Sequence, residues 1–250
     1  MGNDTITLYE PINTLKQVGI DIWLVDGPIV QMSMYGTKVP FPTRMTIVRL
    51  SNRDLWCHSP TALTQELKAQ IDSLGSVRHL ISPNKFHYVH IGTWANAYPE
   101  AIAWASPGVR DRTARQKVDV KFDADLDHKP PSQWAEDLNQ LVFQGSRFMD
   151  EVVFFHRKSS TLILTDLIEN FEPDKVSQRF GWLTKVVGIA DPDGQTPLDL
   201  RMTFFGQKEQ ARSSLQQMLQ WNPEKVLLAH GRWYEENGAA ELRRAFRWVA

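Results

Sequence analysis

Hydrophobic positions along the chain come in short blocks broken by proline, glycine and serine, a pattern that predicts many strands and a few covering helices. Residues 20–25 (Ile-Asp-Ile-Trp-Leu-Val) are rich in β-formers and stop at Asp26-Gly27-Pro28, which predicts a strand and then a turn. Residues 31–43, carrying Gly36, Pro40 and Pro42, read as a surface loop. Residues 44–50 alternate as a half-buried strand should, and 51–54 turn the chain into a second strand at 55–58. Ser59-Pro60-Thr61 then signals a helix start, Leu63, Leu67, Ile71 and Leu74 recur at helical spacing, and Gly75 stops it.

Residues 77–81 form the next predicted strand. It runs into Ser82-Pro83 and a loop that holds His87 and His90 three residues apart. A short helix over 91–98 and a strand over 101–105 follow. The order strand, helix, strand, helix, strand predicts a mixed sheet with covering helices. Residues 108–137 are polar with mixed charge signs and read as solvated helix and loop. Strands restart at 141–143, 151–155 and 161–165, and Asp166 sits where the last of them ends. Prolines and glycines interrupt every pattern over 167–200. An amphipathic helix over 207–221, a strand over 225–229 ending in His230-Gly231, and a helix over 239–249 complete the chain.

Composition narrows the class. Of 250 residues 42% are hydrophobic and 23% charged, with a net charge of -1, so neither a basic nucleic-acid footprint nor a strongly acidic surface is implied. Cys57 is the sole cysteine, which excludes a multi-cysteine zinc site; next to His58 in a strand, it should point to the opposite face as a buried thiol. No window reaches the roughly 18 apolar residues of a spanning helix, and the first residues lack a secretory pattern. A cytoplasmic protein with no membrane or nucleic-acid partner is expected, with a homodimer left open.

The candidate chemistry gathers at strand ends: His58, the His87/His90 pair, Asp166 and His230. Neutral imidazole and carboxylate both donate to zinc, iron or manganese. Taken singly, a histidine is more often a satisfied core or surface group; their shared position at strand ends is what favours chemistry. The aromatics Phe86, Tyr88, Trp94 and Tyr98 near the loop fit a pocket lining or core packing.

The strand–Asp-Leu-Ile segment at 161–168, the strand–His-Gly segment at 225–231 and the histidine loop resemble the metallo-β-lactamase superfamily. More closely, the chain resembles a family of unknown function within it, through Arg44-Met45-Thr46, Leu55-Trp56-Cys57-His58-Ser59-Pro60, residues 83–90 with Trp94, and residues 151–157 and 161–167. The resemblance implies an α/β fold, a four-layer αββα sandwich of two mixed sheets, with residues 1–250 as one domain. It also implies a damaged site. Aligned on the last histidine of the superfamily's His-x-His-x-Asp-His loop, residues 85–90 leave His87 and His90 at ligand positions and put Lys85 and Val89 at two others. Asp166 matches the bridging carboxylate and His230 the final histidine; residues 145–149 hold no histidine where another ligand is usual.

One divalent metal on His87, His90, Asp166 and His230 is therefore one expectation, with Asp166 positioning ion and water and His58, Asn84 and Lys85 as further cleft residues. The activity expected is hydrolysis of an ester, lactone or phosphoester. The alternative is a binding or scaffold protein without metal, in which Lys85 holds Asp166 in place of the cation. Asp150 and Glu151 are candidates for the absent ligand, or simply a strand terminus.

Overall fold

Side-chain alternation along the strands sorts the apolar residues into three layers. The computed structural model describes residues 6–34 and 37–249. One sheet holds, in spatial order, β1 (Lys16–Gly19), β2 (Ile22–Met34), β3 (Thr37–Arg49), β4 (Asp54–His58), β5 (Ser76–Ser82), β6 (Ile102–Ala105) and β7 (Ala124–Asp125). The other holds β8 (Leu138–Phe143), β9 (Glu151–His156), β10 (Thr161–Ile163) and β11 (Lys225–Leu227), with β11 at one edge beside β10. Both sheets are mixed: β4 to β7 run parallel after an antiparallel start, and β11 joins β10 in parallel.

The helices are α1 (Gln65–Leu74), α2 (Ile91–Ala97), α3 (Val109–Arg115), α4 (Gln178–Val187), α5 (Leu198–Met202), α6 (Lys208–Gln220) and α7 (Gly238–Ala245). On β4, Leu55 and Cys57 face α1 and α2, while Trp56 faces the second sheet. On β9 the same period sends Val152 and Phe154 between the sheets and Val153 and Phe155 toward α6 and α7. The result is the four-layer αββα sandwich. Trp56 and Phe154, both fully buried, meet edge to face at 4.7 Å across the middle, a contact worth about 1 kcal/mol beyond the area it buries.

Three sequence expectations change. Gly27-Pro28 does not end a strand: β2 continues through it with a register shift between Asp26 and Ile29, so the break is a bulge. Residues 31–34 and 37–43, read as loop, belong to the long β2–β3 hairpin. Pro40 and Pro42, two apart, remove N–H groups from one side of β3 only, and β4 pairs no further along β3 than Thr46. Helix α1 starts at Gln65 rather than after Pro60, because the Thr64 hydroxyl accepts from the Leu67 N–H and caps it there. No helix of the described residues is long and apolar enough to cross a membrane.

Two histidines sit in this framework away from the candidate site. His79 Nδ1 accepts from Trp104 Nε1 at 3.3 Å, and His156 Nδ1 lies 2.7 Å from Ser159 Oγ. Burial lowers both from near 6.5 to about 4. The folded state therefore binds fewer protons than the unfolded chain below pH 6.5, and stability present above that pH is lost as it falls toward 4, on the order of 1 kcal/mol per pH unit for each histidine. Urea unfolding of His79→Leu should show a loss of stability between pH 7 and pH 5 that is smaller by about 1–2 kcal/mol than the wild-type loss. An unchanged loss would contradict a neutral, buried His79.

Candidate metal centre

The site is assembled where three chain segments leave their strands on one edge of the sandwich. After β5, Asn84 is fully buried and its Oδ1 accepts from the N–H groups of Phe86 (2.8 Å) and His87 (3.3 Å), which bends the loop back. Its Nδ2 reaches across to the second sheet, 2.8 Å from Asp166 Oδ2 and 2.9 Å from Thr165 Oγ1. Beyond β10, the N–H groups of Thr165 and Asp166 donate to the two carboxylate oxygens of Glu151 at 2.7 and 2.8 Å. Glu151 thus fixes the backbone that presents Asp166, and Asn84 fixes its outer oxygen.

The inner oxygen, Asp166 Oδ1, faces two imidazoles. His87 Nε2 lies 3.1 Å from it and His230 Nε2 3.2 Å. On its far side, His87 Nδ1 is 2.6 Å from Ser59 Oγ, delivered by a residue held at φ 53 at the end of β4. His230 is set by ring packing instead, with Phe41 at 5.3 Å and Phe171 stacked at 6.5 Å; its buried Nδ1 has no hydrogen-bond partner. Gly231 follows at φ +86, where a Cβ would come 2.0 Å from the Asn170 carbonyl, so only glycine lets the His230 loop lie this close. Arg44, 4% exposed, ties that loop to the first sheet: Nε donates to Asp26 Oδ1 at 2.7 Å, and Nη1 donates to the carbonyls of Leu228 (2.8 Å) and Gly231 (2.7 Å).

The electrostatics follow from this packing. Burial would raise the Asp166 carboxyl, but His87 and His230 outweigh it and hold the group far below the usual carboxylate range. Burial also depresses His87, yet the Asp166 charge wins and its value rises; at His230 burial wins and the value falls. Glu169, three residues beyond Asp166, is pushed well above its ordinary value by burial and by the Asp166 charge.

Of the residues singled out from sequence, His87, Asp166 and His230 come together: one ligand atom from each lies within 4.8 Å of the others. Asn84 touches Asp166 directly. His90 does not join the group; it precedes α2, and its buried Nε2 lacks a partner. Lys85 does not hold Asp166. The turn that directs Asn84 inward sends Lys85 away, and its ammonium donates to the Phe148 carbonyl and lies 4.0 Å over the Phe148 ring. His58 faces the space between the sheets, stacked 5.4 Å from Trp56, with burial depressing its pKa. Glu151 serves as a backbone anchor and is outside the donor group. Tyr88 and Trp94 pack under the helices, whereas Phe86 lines the cleft. Sequence reasoning passed over Ser59, Arg44 and Glu169; the one available signal was an arginine in an otherwise alternating strand.

Asp166 and His230 form part of the floor of a half-open cavity of about 500 Å³, walled by apolar residues of α4 and α5 and by Phe86, Phe148 and Met149. Residues 21–178 match the domain of unknown function DUF4336. The chain belongs to that family. No curated protein matches it significantly. Among solved structures, the DIM-1 metallo-β-lactamase exposed to ceftazidime superposes with a TM-score of 0.63 at 14% identity, over 99% of this chain and 100% of that one. The FIM-1 metallo-β-lactamase from Pseudomonas aeruginosa in its mono-zinc form gives 0.59 at 14%, over 98% of each chain. Rubredoxin oxygen:oxidoreductase from Desulfovibrio gigas gives 0.61 at 11%, over 94% of this chain and 61% of that one. These likenesses establish the metallo-β-lactamase fold for this DUF4336 chain.

The donor set fits one divalent ion. Two imidazole nitrogens lie 3.1 and 3.2 Å from one carboxylate oxygen, close to the roughly 3.4 Å between neighbouring ligands of a tetrahedral site, and two of the three residues face the cavity. The Ser59 contact on the far side of His87 is the kind of outer partner that fixes a ligating imidazole. Replacing Arg44 by Met should test the scaffold, since it strands Asp26 and two carbonyls in the interior. Urea unfolding is expected to show a loss of about 3 kcal/mol, with Lys16 at 2.8 Å partly compensating Asp26. A loss below about 1 kcal/mol would mean that Arg44 does not anchor the His230 loop.

Proposed function

We propose that this chain is a single-domain, mononuclear metal-dependent hydrolase of an ester, lactone or phosphoester, with His87, Asp166 and His230 as the protein ligands. The observation that carries the reading is the convergence of His87 Nε2 and His230 Nε2 on Asp166 Oδ1, with Asp166 and His230 on the floor of a cavity. A divalent ion held there would supply Lewis acidity, acidifying water and offsetting negative charge that develops on a carbonyl or phosphoryl oxygen. That the FIM-1 enzyme has a mono-zinc form supports the reading of a single ion in this fold.

The chain's own residues do the rest. Asp166, held by Asn84 on one oxygen and by Glu151 through its backbone, would orient the attacking water and help hold the ion. Ser59 fixes the ring of His87. For an ester, the water oxygen bonds to the carbonyl carbon, the bond to the leaving alcohol breaks, and the proton lost from water ends on that alcohol. Apolar walls keep other water away, which strengthens every charge interaction inside.

A second reading is favoured by the same short contacts. Both imidazoles reach Asp166 Oδ1 directly, so hydrogen bonds alone account for a buried carboxylate in a binding protein without metal. Metal analysis separates the two. After incubation with zinc, iron or manganese and desalting, the wild type should retain about one ion per chain. His87→Ala and His230→Ala should each lose most of it, together with about a hundredfold of any ester turnover, while His90→Ala keeps both. Negligible metal in the wild type would favour the binding protein; loss in His90→Ala would redraw the ligand set.

A further inference from the structure

The cavity over the donor group has a lining that selects among substrates. Helix α4 turns Phe180, Leu183, Thr184 and Val187 toward it, the i, i+3, i+4, i+7 stripe of one helical face. Ile189 and Leu200 continue that wall. Among the described residues that line it, the polar groups are Asp166, His230, Glu169, Asp199, Thr184 and Thr203, with no lysine or arginine. An anionic headgroup would meet the Asp166 carboxylate there and, among the described lining residues, no lysine or arginine. At roughly 30 Å³ for a water-sized group, 500 Å³ takes on the order of fifteen such groups, enough for an extended chain as well as a head.

We propose that this cavity seats the unbranched hydrocarbon chain of an uncharged acyl ester or lactone, about eight to twelve carbons long, with its head at Asp166 and His230. The inference rests on reading the donor group as the reacting end of the cavity, and it narrows the substrate class by removing phosphoesters. The chain lies along the α4 stripe, and the short α5 closes its side. Trp182, Val186 and Met202, on the outward side of the same two helices, are exposed and lie outside the seat.

The test uses 1-alkanols from butanol to tetradecanol, displacing the uncharged dye Nile red from full-length protein stripped of metal with a chelator. Affinity should rise roughly fourfold per added methylene and level off at about ten to twelve carbons. In Val187→Trp, which puts an indole into the seat from a half-buried wall position, it should level off several carbons earlier. Decyl phosphate should bind at least about tenfold more weakly than decanol. Affinity independent of length, a rise that continues unchanged through tetradecanol and in Val187→Trp, or decyl phosphate binding as well as decanol would each overturn the proposal. Because no metal is present, the result is separate from the question of metal loading: chains that bind to a protein unable to retain zinc would leave the seat standing and remove the hydrolase.

Discussion

Two imidazoles and one amide hold the charge of the Asp166 carboxylate, whose side chain is only 16% exposed. Asp166 sits in the cavity floor, where desolvation opposes its charge, and these three groups compensate. His87 and His230 face one oxygen, Asn84 donates to the other, and the Asp166 backbone is held by Glu151. Remove the imidazoles and Asp166 Oδ1 loses both of its partners, which is why they and the carboxylate form one unit. A divalent ion in the same place would answer the same need with more charge.

The sandwich supplies each member of that unit from a different direction. Asn84 and His87 come from the first sheet, Glu151 and Asp166 from the second, and His230 from the edge strand beside β10. Two cross-sheet links keep the three segments in register: Asn84 to Glu151 and Thr165, and Arg44 to the carbonyls around His230. The second explains why a charged side chain occupies an interior position of β3. Its guanidinium satisfies Asp26 and two loop carbonyls at once, so a residue far from the donor atoms sets where one of them stands.

Much of this was legible in the sequence, because strand periodicity marks strand ends and imidazole and carboxylate are conspicuous there. His58, His87, Asp166 and His230 were all placed near the ends of strands on that basis. Which of two histidines three residues apart turns inward was not legible. That choice is made by the Asn84 side chain bending the loop, and it brings His87 to Asp166 while His90 begins α2. The long hairpin was missed because Gly27, Pro28, Pro40 and Pro42 are turn residues by default, and a bulge and an unpaired strand side absorb them here. The punctuation over 167–200 hid α4 and α5 for a related reason: Ser177, Gly188 and Pro197 are the caps of those helices. The cavity walls therefore came only with the structure.

The proposed function requires that His87, Asp166 and His230 hold one divalent ion. Titration with cobalt(II), followed by visible absorption, tests it most directly, since a four-coordinate ion with three protein ligands absorbs far more strongly than the hydrated ion. The account predicts ligand-field bands that grow linearly and saturate at one cobalt per chain, and that vanish in His87→Ala. A spectrum that stays that of hydrated cobalt at every ratio would contradict it.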